Sequence, residues 1–436
     1  MDAHLQSWEQ RAAFWIWVAV VITLLMIPME IIRYGYLPGD DALRHAGKAI
    51  SGKPWAEIMV MRPDITFDHN PGWHKILEVL HRSAGWNADR LVCFSVVSLF
   101  WIFMLGALPW MRRPEAWLLA LLVSTMASGS SLFRLLLGRP FILSMAATLA
   151  LLGLWTVPGA ARRPGWRIAA SAVLIGVSVW VHGSWFLFAL PVAAFVAARR
   201  WREAAGLAAA TVLGVVLGAL PTGEPLRYLA WQLDHLSAAL GQDTLQRMLV
   251  GEFQPTSGVF FAVLVVALVL VAKARTEGLQ VLHGVLRDPV FLLILMGWLL
   301  GLKVGRFWHD WGFPSFLLWL AREFSAGLRP LEQGKPGFRF CLAGFACAAL
   351  YLSCTTDLGG RWTRTLTQAY LYEGDPPLAG WLPEPGGIIY SDDMSVFYQT
   401  FFKNPHAPWR YILGYEPGLM PEDDLKIYRN IQWKYG

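Results

Sequence analysis

Long apolar runs follow one another along most of this chain, and they constrain its fold more than any other feature. A helix needs about 20 consecutive apolar residues to cross the ~30 Å hydrocarbon layer of a bilayer. By this rule the sequence predicts an all-α polytopic membrane protein with about eleven transmembrane helices. The predicted spans are 14–32, 91–110, 115–132, 140–157, 168–182, 184–198, 204–220, 257–272, 289–304, 312–328 and 339–356.

The composition agrees with lipid as the surrounding solvent. Hydrophobic residues make up 55% of the chain and charged residues only 16%, against roughly 25% charged in soluble domains. No basic run is interleaved with stacking aromatics, so nucleic-acid binding is not expected. The four cysteines all lie in apolar stretches, so neither a disulfide framework nor a zinc site is indicated.

Lysine and arginine concentrate in every second loop between the predicted spans. Short basic loops favour the cytoplasm, so the N-terminus is predicted to be cytoplasmic. The polar loops and the C-terminus then lie on the other side, in the periplasm of a bacterial inner membrane. The basic positions are Arg112, Arg113, Arg162, Arg163, Arg167, Arg199, Arg200, Arg202, Lys273, Arg275, Arg287, Arg329, Lys335 and Arg339.

Two domains are predicted. Residues 1–356 form the transmembrane domain, including a long first outer loop (33–90) and a second outer loop (221–256). Residues 357–436 are more polar and contain short strand-like and helix-like patterns. They are expected to form a small extracytoplasmic α/β domain.

The first outer loop begins with adjacent carboxylates. Asp40 is a good N-cap for a helix over 41–51, and Asp41 then lies in its first turn. The pair either only caps that helix, or it also supplies a general base or a metal ligand. A second acidic and imidazole-rich stretch contains Asp68 and His69, whose spacing is not that of a metal motif. Both residues are candidates for substrate binding.

Two short motifs in this loop resemble the GT-C superfamily of integral membrane glycosyltransferases. They are Gly-Asp-Asp-Ala-Leu-Arg-His-Ala at 39–46 and Phe-Asp-His-Asn-Pro-Gly-Trp-His at 67–74. The first is similar to the Asp-x-x-x-His-x-Arg opening of oligosaccharyltransferase catalytic subunits, except that Arg44 here precedes His45. The resemblance implies an enzyme that takes a sugar from a polyprenyl-phosphate carrier.

Arginines and histidines at the outer ends of later spans are further candidates for the site. Arg134 and Arg139 either snorkel to the interface or bind an anionic head group or carrier phosphate. His182 joins two short spans, where a titratable group is either structural or functional. Arg306 and His309 lie in a polar turn, and Arg306 resembles a late-span Arg-Phe of GT-C enzymes at the carrier phosphate. A salt bridge from Arg306 to Asp310 is the structural alternative.

The resemblance implies a division of labour among these residues. Asp40 or Asp41 acts as base on an acceptor hydroxyl, and Arg306 with Arg139 or Arg134 holds the phosphate. The partners are the lipid-linked sugar donor, a glycan, lipid or protein acceptor, and membrane lipids. Displacement would invert the anomeric centre. A divalent metal requires Asp40 or Asp41 to join Asp68 and a histidine, which the sequence leaves open.

Other functions of the same chain also remain open at this point. A transporter or flippase of lipid-linked sugars places its polar groups near the bilayer midplane, whereas those of this chain cluster on one side. A polysaccharide ligase shares the arginines but does not require the aspartates. An acyltransferase requires a histidine deep in a span, for which His182 is the candidate.

Overall fold

The structure is a computed structural model, and it describes most of the chain. The described ranges are 2–65, 68–127, 129–157, 164–240, 251–256, 259–332, 335–368, 370–378 and 380–434. Arg162 and Arg163 of the predicted cytoplasmic loops lie outside these ranges. So do residues 241–250 of the second outer loop, and Phe67 of the second motif.

Helices account for most of the described chain, as the apolar runs predict. In order they are α1 (Asp2–Arg33), α2 (Asp41–Ser51), α3 (Trp55–Ile58), α4 (Pro71–Ala84), α5 (Ala88–Gly106), α6 (Pro114–Ala127), α7 (Gly129–Leu135), α8 (Phe141–Thr156), α9 (Pro164–Val181), α10 (Ala189–Ala197), α11 (Trp201–Ala219), α12 (Pro225–Leu240), α13 (Phe260–Glu277), α14 (Val281–Val285), α15 (Pro289–Gly301), α16 (Gly305–Phe307), α17 (Phe313–Glu332), α18 (Pro336–Thr355), α19 (Met394–Lys403) and α20 (Glu422–Lys434). A π-helical turn, Trp308–Gly312, connects α16 to α17.

Each predicted span falls on one or more of these helices, but not all of them can cross a bilayer alone. Within the described ranges, four stretches are both long and apolar enough: Gln10–Arg33, Ala88–Trp110, Trp201–Thr222 and Pro336–Thr355. Several other helices are apolar but shorter, among them α8, α9 and α15. The chain is therefore a helical membrane protein, and the full count of spans stays a prediction.

Small residues bring two of the apolar helices into close contact. Gly214 and Gly218 of α11 face α9, and a Cβ at Gly218 would lie 2.4 Å from the carbonyl oxygen of Gly176. Such small-xxx-small spacing lets two backbones approach, which is how helices associate in lipid without a hydrophobic driving force. The α9–α11 pair is followed in the chain by the second outer loop, which begins with α12.

Helix α2 is the element that organises the polar end of the bundle. As predicted, it runs from Asp41 to Ser51, and the Asp40 side chain caps it by accepting from the backbone N–H of Asp41. The helix packs against α4, α5 and α19, so most of its residues are buried. The two aspartates at its first turn are thus fixed by packing on several sides.

The C-terminal segment packs onto the first loop. Its strands, β1 (Ile388–Ile389) and β2 (Arg410–Tyr411), pair in parallel, with Ile388 opposite Arg410. The backbone N–H of Val60 donates to the carbonyl of Tyr411 over 2.9 Å, which ties the first loop to β2. The strands have only two residues each, so a separate α/β domain over 357–436 stays a prediction.

Candidate functional site

A polar cavity of about 290 Å³ opens beside the N-terminus of α2. Elements far apart in the sequence form its walls. The lining residues are Gly39, Asp40, Asp41, Arg44, His69, Asn70, Arg139, Pro140, Phe141, His182, Gly251, Glu252, Phe253, Arg306, Asp393, Met394, Ser395, Tyr398, Tyr415 and Glu416. The structure thus brings six of the nine residues singled out from the sequence onto one surface: Asp40, Asp41, His69, Arg139, His182 and Arg306.

The other three predicted site residues lie outside the lining. Arg134 is buried behind it and binds two carboxylates. Asp68 lies in the segment before α4 and binds His74. His309 is half-buried in the π-helical turn. Contact of these three with a substrate in the cavity therefore receives no support from the geometry.

Arg139 is held against the first aspartate. Its Nη2 donates to Oδ1 of Asp40, the oxygen that also caps α2. The preceding turn depends on Gly138, which has a φ of +65°, a conformation that costs little only for glycine. A Cβ at Gly138 would lie 3.2 Å from the Cβ of Ala42. Glycine at this position therefore lets the turn approach α2 closely enough to place Arg139 on Asp40.

Asp41 is paired within its own helix to Arg44. The Nε of Arg44 donates to Oδ1 and its Nη2 to Oδ2 at 3.1 Å, so the pair is bidentate. Burial alone would raise the pKa of Asp41, but the charges of Arg44 and Arg139 outweigh it and lower this pKa to about 2. The guanidinium of Arg44 stacks over the Tyr415 ring at 4.0 Å. Asp41 is therefore ionised and fixed in orientation at neutral pH.

Glu252 joins Arg134 of α7 to Arg139 of the turn between α7 and α8. Its Oε1 accepts from Nη1 of Arg134 at 2.8 Å and from Nη1 of Arg139. Burial alone would raise the pKa of Glu252, but the two arginines hold it below its ordinary value. Glu252 was not among the site residues predicted from the sequence, because a single acid in a loop carries no spacing signal.

Asp310 links the arginines of two different helices. Its Oδ1 accepts from Nη2 of Arg134 at 2.7 Å, and its Oδ2 accepts from Nε of Arg306 at 3.1 Å. The Arg306–Asp310 salt bridge considered from the sequence is therefore present. Both arginines are kept at the cavity end of the bundle by this one carboxylate.

His182 is hydrogen-bonded to other residues of the site. Its Nε2 lies 2.9 Å from Nη2 of Arg306, and its Nδ1 lies 3.3 Å from Oγ of Ser144. Because a guanidinium only donates, Nε2 accepts and Nδ1 carries the proton. His182 thus orients Arg306, and its ring also contacts the ring of His69 at 5.9 Å between centroids.

A chain of side chains runs from Asp68 to the back of Asp41. Nδ1 of His74 binds the Asp68 carboxylate, and Nε2 of His74 lies 2.7 Å from Nδ1 of His45. Nε2 of His45 then faces Oδ2 of Asp41 at 3.7 Å. His45 and His74 both occur in the motifs of the first loop, but their pairing across two helices was not foreseen.

The metal set considered from the sequence is not assembled. His45 and His74 separate Asp41 from Asp68, so these two carboxylates do not share a ligand position. Among the described residues, no group of three or more His, Cys, Asp or Glu side chains is arranged to hold a metal ion.

The C-terminal segment closes the cavity on the side away from the bundle. Asp393 and Ser395 at the start of α19 and the ring of Tyr398 line this wall. Tyr415 and Glu416 complete it. No local pattern could have assigned these residues to the site, since they reach it only through the packing of α19 on α2.

Carboxylates outnumber guanidinium groups among the residues that line the cavity. The lining holds the carboxylates of Asp40, Asp41, Glu252, Asp393 and Glu416, against the guanidinium groups of Arg44, Arg139 and Arg306. An anionic ligand can therefore bind these arginines only where it displaces a carboxylate.

Comparison with known proteins identifies no relative. No family model, no curated protein and no solved structure matches the chain significantly.

Proposed function

We propose that this chain is a membrane glycosyltransferase of the GT-C type. It moves a sugar from a polyprenyl-phosphate-linked donor to an acceptor hydroxyl on the extracytoplasmic face, with inversion at the anomeric carbon. The observation that carries the proposal is the cavity, where an ionised aspartate and two arginines held by hydrogen-bonded partners share one polar pocket at the end of an apolar helix bundle.

The donor phosphate binds to Arg306 and Arg139. Arg306 gives one N–H to Asp310 and one to His182, and a guanidinium has five, so N–H groups remain for a ligand. A phosphate is already a good leaving group, and the reaction requires mainly that cations stabilise the charge that develops on it. Guanidinium groups suit phosphate because they bind it with two parallel hydrogen bonds.

Glu252 occupies the anion position in the absence of donor. It accepts from both Arg134 and Arg139 in a partly buried site, which is the arrangement a phosphate oxygen would take. The donor phosphodiester replaces the Glu252 carboxylate, so the charge of the site stays constant. Without this exchange, the excess of carboxylates would repel the donor.

Asp41 is the base that receives the proton of the acceptor hydroxyl. Oδ1 of Asp40 already accepts hydrogen bonds at the N-terminus of α2 and from Arg139. The role of Asp40 is therefore to position Arg139. The bidentate pair with Arg44 fixes the direction of the Asp41 carboxylate. Its low pKa makes it a weak base, which is sufficient where the proton transfers late, with the leaving group already largely departed.

The acceptor lies against the C-terminal wall. Asp393, Ser395, Tyr398 and Glu416 offer carboxylates and hydroxyls there, groups that hydrogen-bond the hydroxyls of a sugar. The donor arginines line the same cavity. An acceptor bound against the C-terminal wall would present its hydroxyl to Asp41.

The direct test is turnover of the purified protein in lipid nanodiscs. Sugar release from radiolabelled polyprenyl-phosphate sugars is measured for wild type, Asp41→Asn and Arg306→Ala. We expect both variants to lose at least about 100-fold in kcat. Matched controls are Asp64→Asn and Arg82→Ala, whose side chains are 67% and 69% exposed away from the cavity.

The outcomes separate the competing functions. Loss in Asp41→Asn with carrier binding retained supports the transferase and assigns its base. Loss in Arg306→Ala alone, with Asp41→Asn fully active, points to a ligase that uses the arginines without the aspartate. Movement of the carrier across the bilayer of proteoliposomes that contain the same protein, without cleavage of its sugar, establishes a transporter instead.

A further inference from the structure

Behind the cavity lies a line of four titratable side chains that ends at Asp41, and its other three members do not line the cavity. It runs Asp68, His74, His45, Asp41, with the Asp68–His74 contact and the 2.7 Å His74–His45 contact as hydrogen bonds. His45 and His74 are buried, with side chains 0% and 7% exposed. Two imidazoles in direct contact in a buried site need a reason beyond packing, because each nitrogen must be satisfied.

We propose that His45, His74 and Asp68 form a proton relay that carries the acceptor-hydroxyl proton away from Asp41 toward the surface. The inference rests on the proposed glycosyltransferase function. The three residues act on the reaction through Asp41 and do not touch substrate.

The hydrogen bonds define where the protons sit in the resting chain. The Asp68 carboxylate can only accept, so Nδ1 of His74 carries a proton and donates to it. Nε2 of a neutral His74 is then an acceptor, so Nδ1 of His45 donates to it. This leaves a lone pair on Nε2 of His45, an atom with no hydrogen-bond partner among the described residues.

The relay and Asp41 are not hydrogen-bonded to each other in the resting state. Nε2 of His45 and Oδ2 of Asp41 are 3.7 Å apart, beyond the usual 2.7–3.2 Å of a hydrogen bond. Two lone pairs face each other across this gap, so no attraction closes it while Asp41 is ionised. Once Asp41 gains a proton, an O–H···N hydrogen bond can form from Asp41 to His45.

The proton balance follows from this geometry. As the acceptor oxygen bonds to the anomeric carbon, the bond from that carbon to the phosphate oxygen breaks and the hydroxyl proton passes to Asp41. Asp41 gives a proton to Nε2 of His45, His45 gives its Nδ1 proton to His74, and His74 gives its Nδ1 proton to Asp68. Asp68, whose side chain is 22% exposed, releases a proton to water. After the products leave, the same hops run in reverse: Asp68 takes up a proton from water, and Asp41 passes one to the water that enters the cavity, which restores the starting tautomers.

None of the four groups holds the proton for long. Burial and the charge of Arg44 keep the pKa of His45 well below its ordinary value. Burial also lowers the pKa of His74, although Asp68 opposes this shift. Lys48 and Arg44 both disfavour an imidazolium at His74, so transfer through the pair is favoured over storage.

The test uses Asp68→Asn in the full-length protein. The backbone N–H of Asn70 donates to Oδ1 of Asp68 at 3.0 Å, so an amide at position 68 keeps its oxygen there and turns its NH₂ toward His74. An NH₂ donor forces Nδ1 of His74 to accept, which moves the proton of both histidines to Nε2. Nε2–H of His45 then points at Asp41 and blocks the path.

Two readouts are measured on wild type, Asp68→Asn and Asp64→Asn as matched control. The ¹⁵N chemical shifts of His45 and His74, assigned with His45→Gln and His74→Gln, report the tautomers. We expect Nδ1–H in wild type and in Asp64→Asn, and Nε2–H in Asp68→Asn. We also expect Asp68→Asn to lower kcat roughly 100-fold with KM for the donor unchanged, and Asp68→Glu to recover a large part of it.

Each result decides the proposal. Wild-type histidines protonated at Nε2, or full kcat in Asp68→Asn beside an active wild type, overturns the relay and leaves the transferase standing. Equal losses in Asp68→Asn and Asp68→Glu, with reduced thermal stability, also overturn it, because the residue is then only structural. A wild type inactive toward every carrier overturns both proposals.

Discussion

Nη2 of Arg134 donates to Oδ1 of Asp310 across 2.7 Å, which joins two buried side chains 176 positions apart in the chain. The same guanidinium also binds Glu252 at 2.8 Å. Arg134 therefore holds the π-helical turn and the segment around Glu252 together at the end of the helix bundle, without lining the cavity itself.

Replacing Arg134 should damage stability more than chemistry. Arg134→Gln leaves the buried carboxylate of Asp310 with only Arg306, and breaking a buried ion pair typically costs about 3–5 kcal/mol. We expect a clear drop in Tm of the purified protein, measured by the unfolding of detergent-solubilised samples. Arg82→Gln, on an exposed arginine, is the control. An unchanged Tm for Arg134→Gln would show that the network does not support the fold.

Removing the charge of Glu252 should tighten binding of the donor. Glu252→Gln no longer competes as an anion for Arg134 and Arg139. Since hydrogen bonds to charged groups contribute about 1.5–3 kcal/mol, we expect Kd for a polyprenyl phosphate to fall by about 10-fold. Binding to nanodiscs is measured with Glu224→Gln, a 59% exposed acid, as control. Weaker binding by Glu252→Gln would contradict the exchange of carboxylate for phosphate.

Removing Arg44 should move the acid limb of the pH–rate profile. The pair with Arg44 helps to hold the pKa of Asp41 at about 2, so wild type should show no loss of kcat/KM from this group above about pH 4. Arg44→Gln deletes the nearest cation, which raises this pKa and shifts the acid limb upward by about 1 pH unit or more. The profile is compared with that of Arg82→Gln. Coinciding wild-type and Arg44→Gln profiles would remove Asp41 from the role of base.

The protein should lose stability in acid through its paired carboxylates. The pKa values of Asp41, Asp68 and Glu252 all lie below their ordinary values in the folded chain. Groups of this kind stabilise the fold fully above their unfolded pKa, near 3.8 for aspartate, and progressively less as pH falls through the folded pKa. We therefore expect Tm to fall as pH drops below about 4, with a shallower fall in Asp68→Asn. A Tm independent of pH between about 5 and 3 would be inconsistent with these ion pairs.

Features governed by neighbours along the chain were predictable from the sequence. The cap of α2 by Asp40, the break at His182 between two apolar helices and the Arg306–Asp310 pair all depend on spacings of a few residues. Capping and i,i+4 contacts follow from the geometry of a single helix. The positions of the apolar helices follow in the same way from the length of each hydrophobic run.

Only the tertiary structure decided which polar groups meet. Three of these contacts join segments whose local sequence patterns give no sign of each other. They are the contacts of Glu252 with Arg139, of His74 with His45, and of Tyr398 with the cavity. The sequence by itself determined a helical membrane protein with its acids, arginines and histidines at helix ends. Whether those groups pair, and with which partner, was set by how α2, α4, α8 and α19 pack, because a buried charge is stable only beside a partner that packing brings within hydrogen-bonding distance.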